Sequence, residues 1–387
     1  MNERRHDLYL LTPGPLTVPR PIKERMLEDR SPNAAPHSAT TREIRDTMLE
    51  ICNGTGTHVC VPIQGSATYG IEAGLHTLVP LDAKILVIEN GYYGGRLREV
   101  AAGSGFQVAS LILPMLPLPS AADVEAALDA DPAITHILLC HAETGTGVLN
   151  PIEAVAEVAR RRGKRLMIDA VASFGGFPID AAALDAEAIF ISPNKCLESV
   201  PGVALVVVKR ASLEAAEGRS RSVVLDLHGQ WRHMEATGAW RWTPPTHVVA
   251  ALHEACARHR REGRAARLAR YTANWRRLVD GLRQRGLRTL LPDEAAAPII
   301  ATFHDPEHPN YAFPAFYEAM ERRGLIIFPG RLTAAGTFRI GVMGDLDEAD
   351  IGFILSQIDE ALAEIGVDIA TVDLATSDLA RPAASAA

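Results

Sequence analysis

Apolar and polar positions along this chain fall in blocks. From residue 57 to 209, uninterrupted apolar runs such as KILVIEN at 84–90 and THILLCH at 135–141 are separated by stretches of helical spacing. Runs of strand length without alternation fit strands covered on both faces. Their regular interleaving with helices predicts a mostly parallel α/β sheet. Each run ends in polar residues: Gln64 after HVCVPI, Asn90, His141, Asp169 and Ser192. Open sheets of this kind bind ligands beyond the carboxyl ends of their strands, so that edge is where chemistry is expected.

The flanking pattern differs. Residues 8–21, LYLLTPGPLTVPRP, read as a short strand and a rigid Pro-Gly-Pro arm that crosses a surface. A helix begins at 20–28, residues 29–42 (DRSPNAAPHSATTR) read as a polar loop, and 41–52 as an amphipathic helix with Ile44, Met48, Leu49 and Ile51 inward. Residues 218–247, dense in Trp, Arg, Gly and Pro, read as an irregular binding or interface loop. A long helix over 247–285 with a break near Gly263 follows, then strands at 297–303, 325–328 and 337–341 with helices at 314–323 and 347–365. The expected division is an arm (1–20), a large domain (21–255), a smaller α+β domain (256–365) and a loose tail (366–387).

Composition narrows the partners. At 387 residues and 47% hydrophobic, the chain can bury a sizeable core, and a net charge of −8 argues against nucleic acid. The basic run Arg258 to Arg288 reads as the solvated face of a helix. Five cysteines (52, 60, 140, 196, 256), odd in number and without CxxC spacing, suggest reduced thiols and no metal site. No signal peptide or stretch of about 18 apolar residues is seen, so a cytoplasmic protein without a membrane contact is expected.

Lysine usage singles out one position. Of 39 basic residues only five are lysines (23, 84, 164, 195, 209), and Lys195 stands at a strand end between Asn194 and Cys196. A buried lysine can lose its proton and form a Schiff base, which arginine cannot. Asp169, at the end of another run, supplies a matching carboxylate. Pyridoxal 5'-phosphate requires both, a lysine for the imine and an acid to keep its ring nitrogen protonated. Charged strand ends are common, so the pair alone also fits an ordinary cap and ion pair. Gly65-Ser66-Ala67-Thr68 opens a helix, as a phosphate cradle or as a plain N-cap. Tyr93, between Gly91 and Gly94, suits stacking on a ligand ring or a turn.

In this order the segments resemble the fold-type I pyridoxal phosphate enzymes and, among them, the class V aminotransferases. LLTPGPL (10–16), QGSATY (64–69), NGYYG (90–94), HAETGTGVLNPI (141–152), IDAVASFGGFPID (168–180), SPNKC (192–196), WRWTPPTH (240–247) and FRIGVMG (338–344) carry the likeness. LLTPGPL and SRSVVLDLHGQWR (220–232) narrow it to the branch that moves the amino group of 2-aminoethylphosphonate to pyruvate. The resemblance implies that Lys195 holds the cofactor and moves the substrate proton, with Asp169 on the ring nitrogen. It further implies that Tyr93 stacks on the ring and Thr144 bonds near its hydroxyl or Asp169. Ser66, Ala67 and Thr68 would cradle the phosphate, joined by Thr243 from the second subunit of a homodimer. Arg339 would clamp the substrate's carboxylate or phosphonate. Two positions depart from the pattern: Ala67, where glycine is expected, and SPNAAPHSAT (31–40), where a tryptophan and acidic run is expected. The second keeps open a hydroxylated or carboxylated aminophosphonate, or an alanine:glyoxylate-type reaction, with Asn33 and His37 meeting the head group.

Overall fold

Strands and helices alternate from His58 to Lys209 and assemble into a seven-stranded sheet; the computed structural model describes residues 5–329 and 336–368. Across the sheet the order is His58–Gln64, Val203–Lys209, Ala186–Ile191, Arg165–Asp169, Ile134–Cys140, Lys84–Glu89 and Gln107–Ile112. Val203–Lys209 runs against both of its neighbours, and every other neighbouring pair is parallel. The mostly parallel sheet read from the sequence is therefore present. Pro62 sits in an edge strand, where a missing N–H is tolerated.

Alternate residues of the same strands feed two cores. Ile137, Leu139, Ile168, Ile189 and Leu205 face one layer of helices, whereas Leu138, Met167, Phe190 and Val206 face the other. A third core gathers Phe303, Phe316, Phe338 and Ile340 with Leu278 and Leu282 of the helix Arg264–Arg283. Gly263, at φ +80°, separates that helix from Thr246–Glu262, at the break the sequence predicts.

Four readings are corrected. The N-terminal arm does not cross a surface: Tyr9–Leu11 is a strand paired in parallel with Leu325–Ile327, and Tyr9 and Leu11 are wholly buried in the third core. The loop expected at 29–42 is helical from Ala35, because Pro36 falls in the first turn, where its missing N–H would be unpaired anyway. Within 218–247, Leu227–Thr237 is a helix marked by its ends: the Asp226 carboxylate accepts from Gly229 N–H at 3.0 Å, and Gly238 closes it at φ +73°. The basic helix is not solvated throughout, since Arg267 is only 1% exposed. Of the expected tail, 369–387 lie outside the described residues.

Candidate active site

Asp169 and Lys195 meet at one sheet edge because their strands are neighbours, with Asp169 paired to Phe190 and the lysine turn following Ile191. Asp169 is buried; its Oδ1 accepts from Val171 N–H at 2.9 Å. Burial pushes its carboxyl up to about 6, with Glu143 adding to the rise and the Val171 N–H, Arg96 and Lys195 opposing it. Burial likewise pulls the Lys195 amine down to about 8, against the pull of Asp169. The Nζ donates to the carbonyls of Pro13 at 2.5 Å and Gly14 at 3.3 Å. The N-terminal arm thus reaches the centre of the site, which the sequence reading missed.

Tyr93 and Thr144 come from the two adjacent turns, after the neighbouring strands Lys84–Glu89 and Ile134–Cys140. Between them lies Glu143, wholly buried, which the sequence reading quoted within a motif but gave no role. Its Oε2 accepts from the N–H groups of Tyr93 (2.8 Å) and Gly94 (3.1 Å), and its Oε1 from that of Gly145 (2.8 Å). The signal was in the glycines: a Cβ on Gly91 would stand 2.4 Å from Glu143 Cγ, and one on Gly145 2.6 Å from Oε1. Burial raises the Glu143 pKa, against those three donors and Arg339.

Arg339 is no surface charge. It lies in the strand Thr337–Gly341, is 6% exposed, donates to the Thr144 carbonyl at 2.5 Å and covers the Phe328 ring at 4.3 Å. Burial lowers its pKa, with Tyr93 and Glu143 acting the other way. The helix Ala67–Leu78 starts beyond Gly65, at φ +122°, and the Ser66 side chain makes no capping bond to it. Ala67 is buried, Thr68 half-buried and Ser66 exposed. Thr243 is exposed ahead of the helix Thr246–Glu262.

The chain matches the family model for aminotransferase class-V over residues 29–340. The chain belongs to the class V aminotransferases. It is 45% identical over 97% of its length, and 99% of the relative's, to the 2-aminoethylphosphonate–pyruvate transaminase of Rhizobium meliloti. The corresponding Pseudomonas aeruginosa transaminase is 44% identical over 92% of this chain and 97% of its own. Among solved structures, the alanine–glyoxylate aminotransferase of Nostoc sp. superposes with a TM-score of 0.85 at 24% identity, covering 94% and 97% of the two chains.

As a class V aminotransferase the protein depends on pyridoxal phosphate. The residues present fit that group. A buried carboxylate at the strand end, a lysine amine drawn down to about 8 by burial, and a helix start whose hydroxyl is not spent on capping match what its ring nitrogen, aldehyde and phosphate require. No described helix is long and apolar enough to cross a membrane.

Proposed function

We propose that this aminotransferase moves the amino group of 2-aminoethylphosphonate to pyruvate, giving phosphonoacetaldehyde and L-alanine. The observation that carries the reading is the 44–45% identity, over nearly the whole chain, to transaminases named for that reaction. Bound at this edge, pyridoxal phosphate supplies an electron sink for the charge left when a proton leaves the substrate carbon. Lys195 would hold the cofactor and, once released, would carry the proton of that carbon, a task suited to an amine drawn down towards neutrality. Asp169 would hold the proton on the ring nitrogen. Tyr93 would stack on the ring, Thr144 would bond near its hydroxyl or Asp169, and Ser66, Ala67 and Thr68 would cradle the phosphate. Arg339 orients the phosphonate of the donor and the carboxylate of the acceptor; its burial in an apolar and aromatic setting favours an anion with two oxygens.

The protein acts as a homodimer in which Thr243 reaches the partner's phosphate site. Exposed Trp242, Tyr92 and Tyr69, at 45%, 63% and 53%, support an interface there. Five free, buried cysteines are compatible with the cytoplasm. The division into 21–255 and 256–365, with the arm 1–20, is supported by the separate cores and by Gly263.

A second reading keeps the cofactor and exchanges the donor for a hydroxylated or carboxylated aminophosphonate. His37 favours it: 5% exposed in the altered segment, its Nε2 has no hydrogen-bond partner among the described residues. The two separate in a donor screen on cofactor-loaded protein, following alanine formed from pyruvate, with Lys195→Ala as control. Turnover of 2-aminoethylphosphonate supports the first; turnover only of a substituted analogue supports the second.

A further inference from the structure

Three residues beyond Lys195 the backbone enters the left-handed region, with Glu198 at φ +60°. A side chain with a Cβ is disfavoured there, and glycine would relieve the cost. What the carboxylate does must therefore outweigh it. Glu198 is 3% exposed; its Oε1 accepts from Tyr271 Oη–H at 2.6 Å and Arg270 Nη2 at 2.8 Å, and its Oε2 lies 3.6 Å from Arg267 Nη2. Arg267 and Arg270 each also bond Glu262, which makes a compact group of two acids and two arginines. Buried ion networks of this kind contribute little net stability compared with apolar packing of the same volume, so their use is better sought in geometry.

That geometry centres on the lysine. Glu198 N–H donates to the Lys195 carbonyl at 2.7 Å, and Arg267 Nη1 donates to the Cys196 carbonyl at 2.8 Å. Ser199 N–H closes the turn on the Pro193 carbonyl at 2.9 Å. The Lys195 carbonyl is thus held by the backbone of Glu198, and the Cys196 carbonyl by the network itself through Arg267. Through Arg270 the same network reaches the other side of the site, where Nη1 donates to the Gly344 carbonyl at 2.8 Å, and Asn274 of the same helix donates its Nδ2–H to the Leu346 carbonyl at 3.0 Å. Those carbonyls follow the strand that carries Arg339.

We propose that Glu198, through Arg267 and Arg270, is a positioning residue that fixes the Lys195 amine relative to Arg339, and so relative to the anionic end of the substrate. The inference rests on the roles given above to Lys195 and Arg339. A displacement of the amine by about 1 Å costs on the order of 100-fold in rate.

The test uses the cofactor-loaded full chain carrying Glu198→Gly, Glu198→Gln or Glu198→Asp, read by kcat, by thermal midpoint and by the visible circular dichroism of the bound cofactor, which reports how the lysine holds it. Gly and Gln are expected to keep the cofactor yet lower kcat on the order of 100-fold and alter the dichroic band, while Asp recovers to within about 10-fold of wild type. Should Gly and Gln leave kcat within about two-fold and the band unchanged, lowering only the thermal midpoint, the residue serves the fold alone and the inference is overturned. If the Gly variant does not fold, Gln, which keeps the volume and much of the hydrogen bonding, decides. Lys195→Ala runs alongside: covalent cofactor persisting there refutes the role of Lys195 and leaves the Glu198 comparison to be read separately.

Discussion

Gly14 lies against Lys195 so closely that a Cβ on it would stand 2.5 Å from Lys195 Cδ and 2.7 Å from Nζ. Its carbonyl also accepts from that amine, and its φ of +117° is one that residues with side chains avoid. The TPGP segment therefore acts on the site through backbone alone. Tyr9 and Leu11, buried in the third core, hold it in place from one side and Leu16 and Val18 from the other.

Gly14→Ala should accordingly strike the lysine rather than the fold at large. Either the arm or the Lys195 side chain must give way, and we expect kcat to fall by about 10-fold or more, with a backbone strain of about 1–2 kcal/mol. Steady-state kinetics with an absorbance spectrum of the bound cofactor checks this. Unchanged kcat would mean that the arm contact is incidental.

Asp169 gives a prediction with opposite signs for stability and activity. Its folded pKa, about 6, lies above the ordinary 3.8, so the folded state binds the extra proton. Stability from this group is present below the ordinary value and is lost as pH rises towards 6. Asp169→Asn should therefore stabilise the cofactor-free protein above pH 6, on the order of 1–3 kcal/mol, with the gain vanishing towards pH 4. In the loaded enzyme the same change removes the acid that holds the ring proton, and kcat should drop by about 100-fold or more. Thermal melts of the apo-protein across pH 4–8, beside kinetics at neutral pH, would show both; a destabilised apo-variant at pH 7 contradicts the first.

Lys195 should set the pH dependence of cofactor capture. Only the neutral amine attacks an aldehyde, and burial brings its pKa down to about 8. The rate at which apo-protein takes up pyridoxal phosphate should rise with pH and level off above about 8, instead of climbing towards 10 as for an exposed lysine. Stopped-flow absorbance on the apo-protein measures it, and a rate still climbing tenfold per pH unit at pH 9 would contradict it.

How far the sequence reveals this molecule depends on how local each cause is. The sheet was legible because apolar runs ending in polar residues have a single buried arrangement, and Asp169 and Lys195 followed as ends of adjacent strands. The arm was not, because Tyr9 pairs with Leu325 at the far end of the chain and no local pattern encodes that register. Arg267 was misread because an arginine on a helix resembles every solvated one until Glu198 and Cys196 are found opposite it. Leu227–Thr237 was missed although Asp226 and Gly238 mark its ends, as its Trp and Arg content outweighed its caps.

Glu143 offers the sharpest remaining test. It joins the turn of Tyr93 to that of Thr144, and Gly91 leaves room for it. Gly91 has φ 178°, extended backbone open to any residue, so alanine there costs nothing in conformation. The new methyl would instead meet the Glu143 side chain, 2.4 Å from Cγ, 2.5 Å from Cδ and 2.9 Å from Oε2. Gly91→Ala should thus displace the carboxylate, free up to three N–H groups, two of them buried, and lower stability by about 1–3 kcal/mol, weakening cofactor binding about 10-fold as Tyr93 shifts. Glu143→Ala should produce a similar loss by leaving the same donors unpaired. If the clash is the cause, the two changes combined should cost less than the sum of each alone, since the methyl then enters space the acid has left. Thermal midpoints and cofactor titrations of the four proteins in this cycle give the coupling, and strict additivity would show that Gly91 is required for some reason other than Glu143.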